Sequence, residues 1–198
     1  SRYDGTSWQT FTIADGLVND GVNHILETSD GDLWFATEKG ASWYDGVNWQ
    51  TFTTENGLAH ENVTSTLEAP DGNLWFATQG GVNRYDGTNW RTFDYLGGYS
   101  AYSMSLLQTV DGSLWAATAG GASRYDGSDW QAFTDDDGLP HMAVWEILEA
   151  SDGSLWFATG GGVGRFDGTT WETFAEKDGL ASDWVLSVLE TSDGSLWF

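Results

Sequence analysis

The stretch Val144-Trp145-Glu146-Ile147-Leu148-Glu149-Ala150-Ser151-Asp152-Gly153-Ser154-Leu155-Trp156-Phe157-Ala158-Thr159-Gly160-Gly161-Gly162-Val163-Gly164-Arg165-Phe166-Asp167-Gly168 decides the fold. It holds three short apolar or aromatic runs: Val144 to Leu148, Leu155 to Thr159 and Val163 to Phe166. Asp-Gly or Gly-Gly separates them, and a fourth run, Trp171 to Phe174, follows. Runs of four to six residues rich in aromatic and β-branched types, punctuated by turn dipeptides, read as a four-stranded antiparallel meander. The strands are called A, B, C and D from the centre outward. Helical spacing of apolar residues is absent over any three turns.

The same phrases recur along the chain. Tyr-Asp-Gly or Phe-Asp-Gly opens at Tyr3, Tyr44, Tyr85, Tyr125 and Phe166, and Asp-Gly-x-Leu-Trp opens at Asp30, Asp71, Asp111, Asp152 and Asp193. A repeat of about 41 residues cannot bury its own apolar face, so neighbours must stack on neighbours. Four strands per unit of this length is the arithmetic of a β-propeller blade. The expected fold is all-β: a five-bladed β-propeller of four-stranded antiparallel blades, forming a single domain over residues 1–198. The blades fall at 22–52, 63–93, 103–133 and 144–174, with a fifth made of 185–198 plus 1–11. That fifth blade takes strands A and B from the C-terminus and C and D from the N-terminus. Sharing a blade between the termini removes two exposed strand edges. The rival architecture is an arc of a longer array that closes by oligomerisation.

Composition bounds the function. Net charge is −23, which excludes nucleic acid and argues against an anionic membrane surface. Fourteen of the 30 acidic residues are the Asp of an Asp-Gly pair, a residue type that such turns favour. There is no Cys, hence no thiolate metal site or cysteine nucleophile, and no apolar stretch reaches 18 residues. The chain starts inside a blade, without an initiator Met or signal peptide. It is read as a fragment, a processed form or an engineered chain. Ten of the 13 Trp fall on the repeat, in strands B and D, and are expected to pack between blades.

The line from Val144 through Asp167 closely resembles the two-component-regulator propeller repeat, over the whole chain and five times. The resemblance implies a propeller with a bacterial extracytoplasmic sensing or binding role, often toward glycans. Family sensors usually carry more blades, and no kinase, transmembrane or DNA-binding segment is present here. The Asp-Gly-x-Leu-Trp-Phe phrase also looks like the blade motif of streptogramin lyases, which are metal-assisted enzymes; that match covers one strand and its turn. The high mutual similarity of the repeats looks like a recently amplified or engineered propeller, a scaffold that need have no natural ligand.

Candidate function sits where the repeats disagree. The D–A loops vary most: Asn19-Asp20-Gly21, His60-Glu61-Asn62, Tyr99-Ser100-Ala101-Tyr102, His141-Met142-Ala143 and Ser182-Asp183-Trp184. They share a face with the B–C loops. Trp184, Trp145, Tyr99 and Tyr102 could stack on a sugar ring while Asp183, His60, Asn62 and His141 bond its hydroxyls. The competing reading is that the aromatics plug the channel as core. Trp43 occupies the place held elsewhere by Arg2, Arg84, Arg124 and Arg165, and is weighed with them. His60, His141 and Glu61 are metal-ligand types, but no His-x-x-x-His or Glu-x-x-His spacing occurs, so no metal is assigned. The recurring Glu27, Glu68, Glu149 and Glu190, replaced once by Gln108, are expected to pair with a strand C Arg. Asp135-Asp136-Asp137 reads as a solvated loop. Without a nucleophile elbow, Walker loop or zinc-protease helix, the expectation is a non-enzyme with no cofactor. It would bind a small polar ligand such as a glycan, or a protein loop, as a monomer or as an oligomer that shares blades.

Overall fold

The computed structural model describes residues 1–94, 96 and 103–198. Among these residues, twenty strands follow one another as successive meanders. A first pair is β1 (Arg2–Tyr3) and β2 (Trp8–Gln9). Blade I comprises β3 (Val22–Glu27), β4 (Leu33–Thr37), β5 (Gly40–Tyr44) and β6 (Trp49–Phe52); blade II comprises β7 (Val63–Glu68), β8 (Leu74–Thr78), β9 (Gly81–Tyr85) and β10 (Trp90–Phe93). Blade III holds β11 (Ser103–Gln108), β12 (Leu114–Thr118), β13 (Gly121–Tyr125) and β14 (Trp130–Phe133); blade IV holds β15 (Val144–Glu149), β16 (Leu155–Thr159), β17 (Gly162–Phe166) and β18 (Trp171–Phe174). A last pair, β19 (Leu189–Glu190) and β20 (Leu196–Trp197), ends the chain.

Each blade pairs antiparallel in strict sequence order, A to B to C to D. The inner strands β3, β7, β11 and β15 pack against one another in turn, so the blades stack through their A strands around a common centre. The protein is an all-β propeller.

Aromatic stacking explains why the repeat carries two Trp. Strand B Trp lies on the strand D Phe of its own blade: Trp34 on Phe52 at 5.1 Å between centroids, Trp115 on Phe133 at 5.2 Å and Trp156 on Phe174 at 5.6 Å. It also meets the next blade edge-on, as Trp34 does at Phe76 and Trp115 at Phe157. Strand D Trp stacks on the aromatic that ends strand C, with Tyr44–Trp49, Tyr85–Trp90 and Phe166–Trp171 at 4.4 to 4.6 Å. Offset pairs of this kind add about 0.5–1.5 kcal/mol each beyond area burial. The B–C turns are tied inside the core, where Thr37, Thr78, Thr118 and Thr159 each donate a hydroxyl to a glycine carbonyl three residues on.

Two expectations need correction. The first is that all ten repeat Trp pack between blades. Trp8 is 72% exposed and Trp197 is 65% exposed. Both belong to the two-stranded sheets at the ends of the chain, where no complete neighbouring blade covers them. Four full blades plus two complementary half-blades is strand content consistent with five-bladed closure. The halves, β1-β2 and β19-β20, stand as separate sheets, and no ladder joins them among the described residues. Val22, Ile25, Leu186 and Leu189 are exposed accordingly.

The second concerns the glutamates that end strand A. They do not pair with arginine. Glu68 accepts from the backbone N–H and hydroxyl of Ser29 in the preceding blade, at 2.6 and 2.8 Å. Glu149 accepts from the Val110 N–H, and Glu190 from the N–H and hydroxyl of Ser151. The strand C arginines instead reach the Asp of their own A–B turn: Arg84 to Asp71, Arg124 to Asp111 and Arg165 to Asp152. A repeat register of 39 residues, invisible to local pattern, decides the glutamate partners.

Candidate functional site

The D–A loops that follow Phe11, Phe52, Phe133 and Phe174 are built on a common turn. The residue after the strand D Phe caps a short turn whose third residue folds back on it: the Thr53 N–H donates to Asn56 Oδ1 at 2.8 Å and the Thr134 N–H to Asp137 Oδ2 at 2.9 Å. This is capping-box chemistry, satisfying donors at both ends of the turn. Asp135-Asp136-Asp137 is therefore an exposed capped turn, as expected of a solvated loop. Gly138 follows with φ of +119°, and a Cβ there would lie 2.7 Å from Trp171 Cβ.

Beyond this turn the loops present the variable side chains. His60 and His141 occupy equivalent places and do the same work: each Nδ1 accepts a backbone N–H two residues on, from Asn62 and Ala143, both at 3.0 Å. Asn62 Oδ1 in turn accepts from Asn23 Nδ2 of blade I at 3.1 Å. Glu61, beside them, is bonded to Lys39 at 2.9 Å, and that ammonium holds its carboxyl below the usual range. Asp183 is committed within its own loop, its Oδ1 accepting the Glu176 N–H at 2.7 Å. Asp20 makes the matching bond to Ile13.

Trp184 ends this loop 58% exposed, its ring centroid 5.5 Å from that of Trp145 at an angle of 42°. Gly160 lies close to Trp184 and His141: a Cβ there would be 3.2 Å from His141 Nδ1 and 3.7 Å from Trp184 Cζ3. Trp184, Trp145, His141 and Asp183 are thus gathered where blade IV meets the segment leading to β19. His60 and Asn62 lie on the same face at blades I and II. Tyr99 and Tyr102 fall outside the described residues.

Trp145 reaches this position because strand A carries a bulge. The ladder between β15 and β16 shifts register between Val144 and Glu146, and the same shift recurs in blades I, II and III. A bulge re-aims one side chain out of the alternation. The bulged residues turn toward the following blade: Asn23 bonds the Val63 carbonyl, Thr64 bonds the Ser103 carbonyl, and Trp145 packs on Trp184. Its indole Nε1 is buried without a hydrogen-bond partner among the described residues.

His24, also on strand A, lies within 2.9 Å of Thr66 Oγ1 in blade II, and burial holds its pKa below the usual value. Trp43, weighed in the sequence with the channel-mouth aromatics, is elsewhere. It pairs with Trp34 near the A–B and C–D turns, at the opposite end of the blade from Trp184. Among the described residues no group of three or more His, Cys, Asp or Glu side chains converges as a metal site would require. No helix among them is long and apolar enough to cross a membrane.

Fold and loops together define a propeller of repeated blades with one variable face. The two component regulator propeller model matches residues 16–39, 57–80 and 138–161, each running from a D–A loop through strands A and B. Three of the units thus match the two component regulator propeller repeat. Among solved structures, the extracellular domain of the one component system BT4673 from B. thetaiotaomicron superposes with a TM-score of 0.83 at 20% identity, over 100% of this chain and 31% of that one. The extracellular domain of the hybrid two component system BT3049 from the same organism gives 0.67 at 20% identity, over 91% and 32%. Virginiamycin B lyase from Staphylococcus aureus gives 0.67 at 18% identity, over 91% and 71%. At these identities the likeness is one of fold. The chain spans about a third of the length of the two sensor domains. No curated protein sequence matches it.

Proposed function

We propose that this chain is a non-enzymatic, extracytoplasmic sensing or binding module that takes a small polar ligand, such as a glycan, on its D–A loop face. One observation carries the reading: Trp184 presents an exposed indole backed by Trp145 on a loop that varies between blades. A sugar ring stacks on such a surface. His141 is exposed beside it, and because its Nδ1 accepts the Ala143 N–H, its Nε2–H points outward as a donor. Asp183 gives one carboxylate oxygen to its own loop and keeps Oδ2 for a ligand hydroxyl. The likeness to extracellular domains of bacterial sensor systems supports the location and the sensing role.

The test is a glycan-array screen of the chain and of Trp184→Ala, with melting measured on both. A hit lost in the variant at unchanged melting upholds the reading. A hit retained in the variant, or silence across the array with a range of polysaccharide fragments, refutes glycan recognition through Trp184.

A further inference from the structure

At three blade boundaries the protein holds one of its own guanidinium groups against the aspartate of an A–B turn. At the boundary of blades III and IV the cleft is about 360 Å³, lined by Asp111, Trp115, Arg124, Phe133 and Glu149; Arg124 Nη2 lies 2.9 Å from Asp111. After blade IV the cleft is about 300 Å³, and Arg165 sits 3.1 Å from Asp152 and 5.8 Å from the Trp156 ring centroid. Between blades II and III, Arg84 lies 3.6 Å from Asp71 and 5.9 Å from the Trp75 ring centroid. The recurring design is a planar cation held by the turn carboxylate, lying over an indole at Arg84 and Arg165.

Between blades I and II the cleft is present, about 320 Å³ and lined by Asp30, Asp32, Trp34, Trp43, Phe52 and Glu68 among others, but its arginine is missing. Two positions depart together. Trp43 replaces Arg, and Asp32 replaces the Asn73, Ser113, Ser154 and Ser195 of the other units. Trp43 Nε1 donates to Asp32 Oδ2 at 2.7 Å, which holds the indole in place. Glu68 is engaged by Ser29 through both oxygens. Asp30 uses Oδ1 for Thr28 and Asp32, while no hydrogen bond or ion pair reaches Oδ2 among the described residues. Asp30 thus stands where Asp71, Asp111 and Asp152 each hold a guanidinium, with none of its own.

We propose that the blade I–II cleft binds an external guanidinium, such as an arginine side chain, against the half-buried Trp43 with Asp30 as its counter-ion. The second indole replaces a built-in cation by an aromatic wall, so the cleft is complementary to the group that its equivalents contain. A metal ion is the poorer fit, because Asp32 and Glu68 already have their donors. The site lies on the opposite end of the blades from Trp184, and the proposal does not depend on glycan binding there.

The experiment is calorimetric titration of the full chain with Nα-acetyl-arginine amide and Nα-acetyl-lysine amide, repeated with a Gly-Arg-Gly peptide. Arginine amide is expected to bind about tenfold tighter than lysine amide. Trp43→Arg, which restores the residue of the other blades, should abolish the preference, and Asp30→Asn should weaken binding about tenfold. Asp111→Asn, in an occupied cleft, should leave binding unchanged. Tighter binding of the peptide points to a protein partner, and equal binding to a free guanidinium compound; either upholds the site. Equal affinity for the two amides, or undiminished binding by Trp43→Arg, overturns it.

Discussion

Gln108 stands where the other full blades carry a glutamate, and across the blade boundary from it stands Pro70, which has no N–H to donate. The equivalent donors, Ser29, Val110 and Ser151, each give a backbone N–H to Glu68, Glu149 and Glu190. A carboxylate at position 108 would face a proline ring instead. The amide avoids a charge there and donates to the Gly112 carbonyl at 3.3 Å, while its Oε1 is left unpartnered among the described residues. The two departures from the repeat are one event in space.

Gln108→Glu is therefore expected to destabilise the protein by about 1–3 kcal/mol, the cost of a partly buried acceptor without its donor. Adding Pro70→Ser should recover most of that loss, because a serine in place of the proline supplies both the N–H and the hydroxyl that Ser29 uses. Urea unfolding of the two singles and the double gives the coupling. Additive effects would show that the clasp across the boundary contributes nothing.

Trp184→Ala should change stability by less than about 1.5 kcal/mol, the contribution of one exposed aromatic pair. A loss of about 3 kcal/mol or more, the penalty for truncating a core Trp, would place the indole in the packed interior. Chemical denaturation followed by the fluorescence of the remaining Trp decides this.

Gly138 combines a positive φ with a Cβ position 2.7 Å from Trp171 Cβ. Gly138→Ala is expected to cost at least about 1–3 kcal/mol, from backbone strain and a displaced Trp171. Gly153→Ala, also at positive φ but with nothing within 4 Å of its Cβ, should cost less. Equal losses at the two sites would mean that strain alone, and not the contact with Trp171, sets the penalty.

His24 adds a pH dependence of definite sign. Burial beside Thr66 disfavours its imidazolium, so its folded pKa lies below its unfolded value near 6.5. The unfolded chain then binds more protons between the two values, and stability falls as pH drops from about 7 through that window. His24→Gln should flatten the profile between about pH 7 and 5. A profile that is unchanged in the variant would assign the acid sensitivity to the carboxylates.

Strand order is legible in the sequence because period-2 runs and Asp-Gly turns are local. The runs of unit four predict strands at Val144 to Leu148, Leu155 to Thr159, Val163 to Phe166 and Trp171 to Phe174. The observed strands differ by one residue at two of eight ends. The partners of Glu68, Glu149 and Glu190 are not legible, since the donors lie 39 residues away and on another blade. Nor is the site at Trp145 separable from core: alternation along strand A would point its indole with the pleat, and the bulge turns it toward Trp184.

By itself the sequence determined that this protein is a stack of four-stranded blades, because a 41-residue unit with two Trp stripes can bury them only against copies of itself. Tertiary structure decided what the departures from the repeat mean. It put Trp43 in an inter-blade cleft beside Asp30, whose Oδ2 has no partner among the described residues, and Trp184 at the other end beside Trp145 and His141. The physical reason is that these side chains meet across blade boundaries, where contact depends on how whole blades are stacked rather than on the neighbours along the chain.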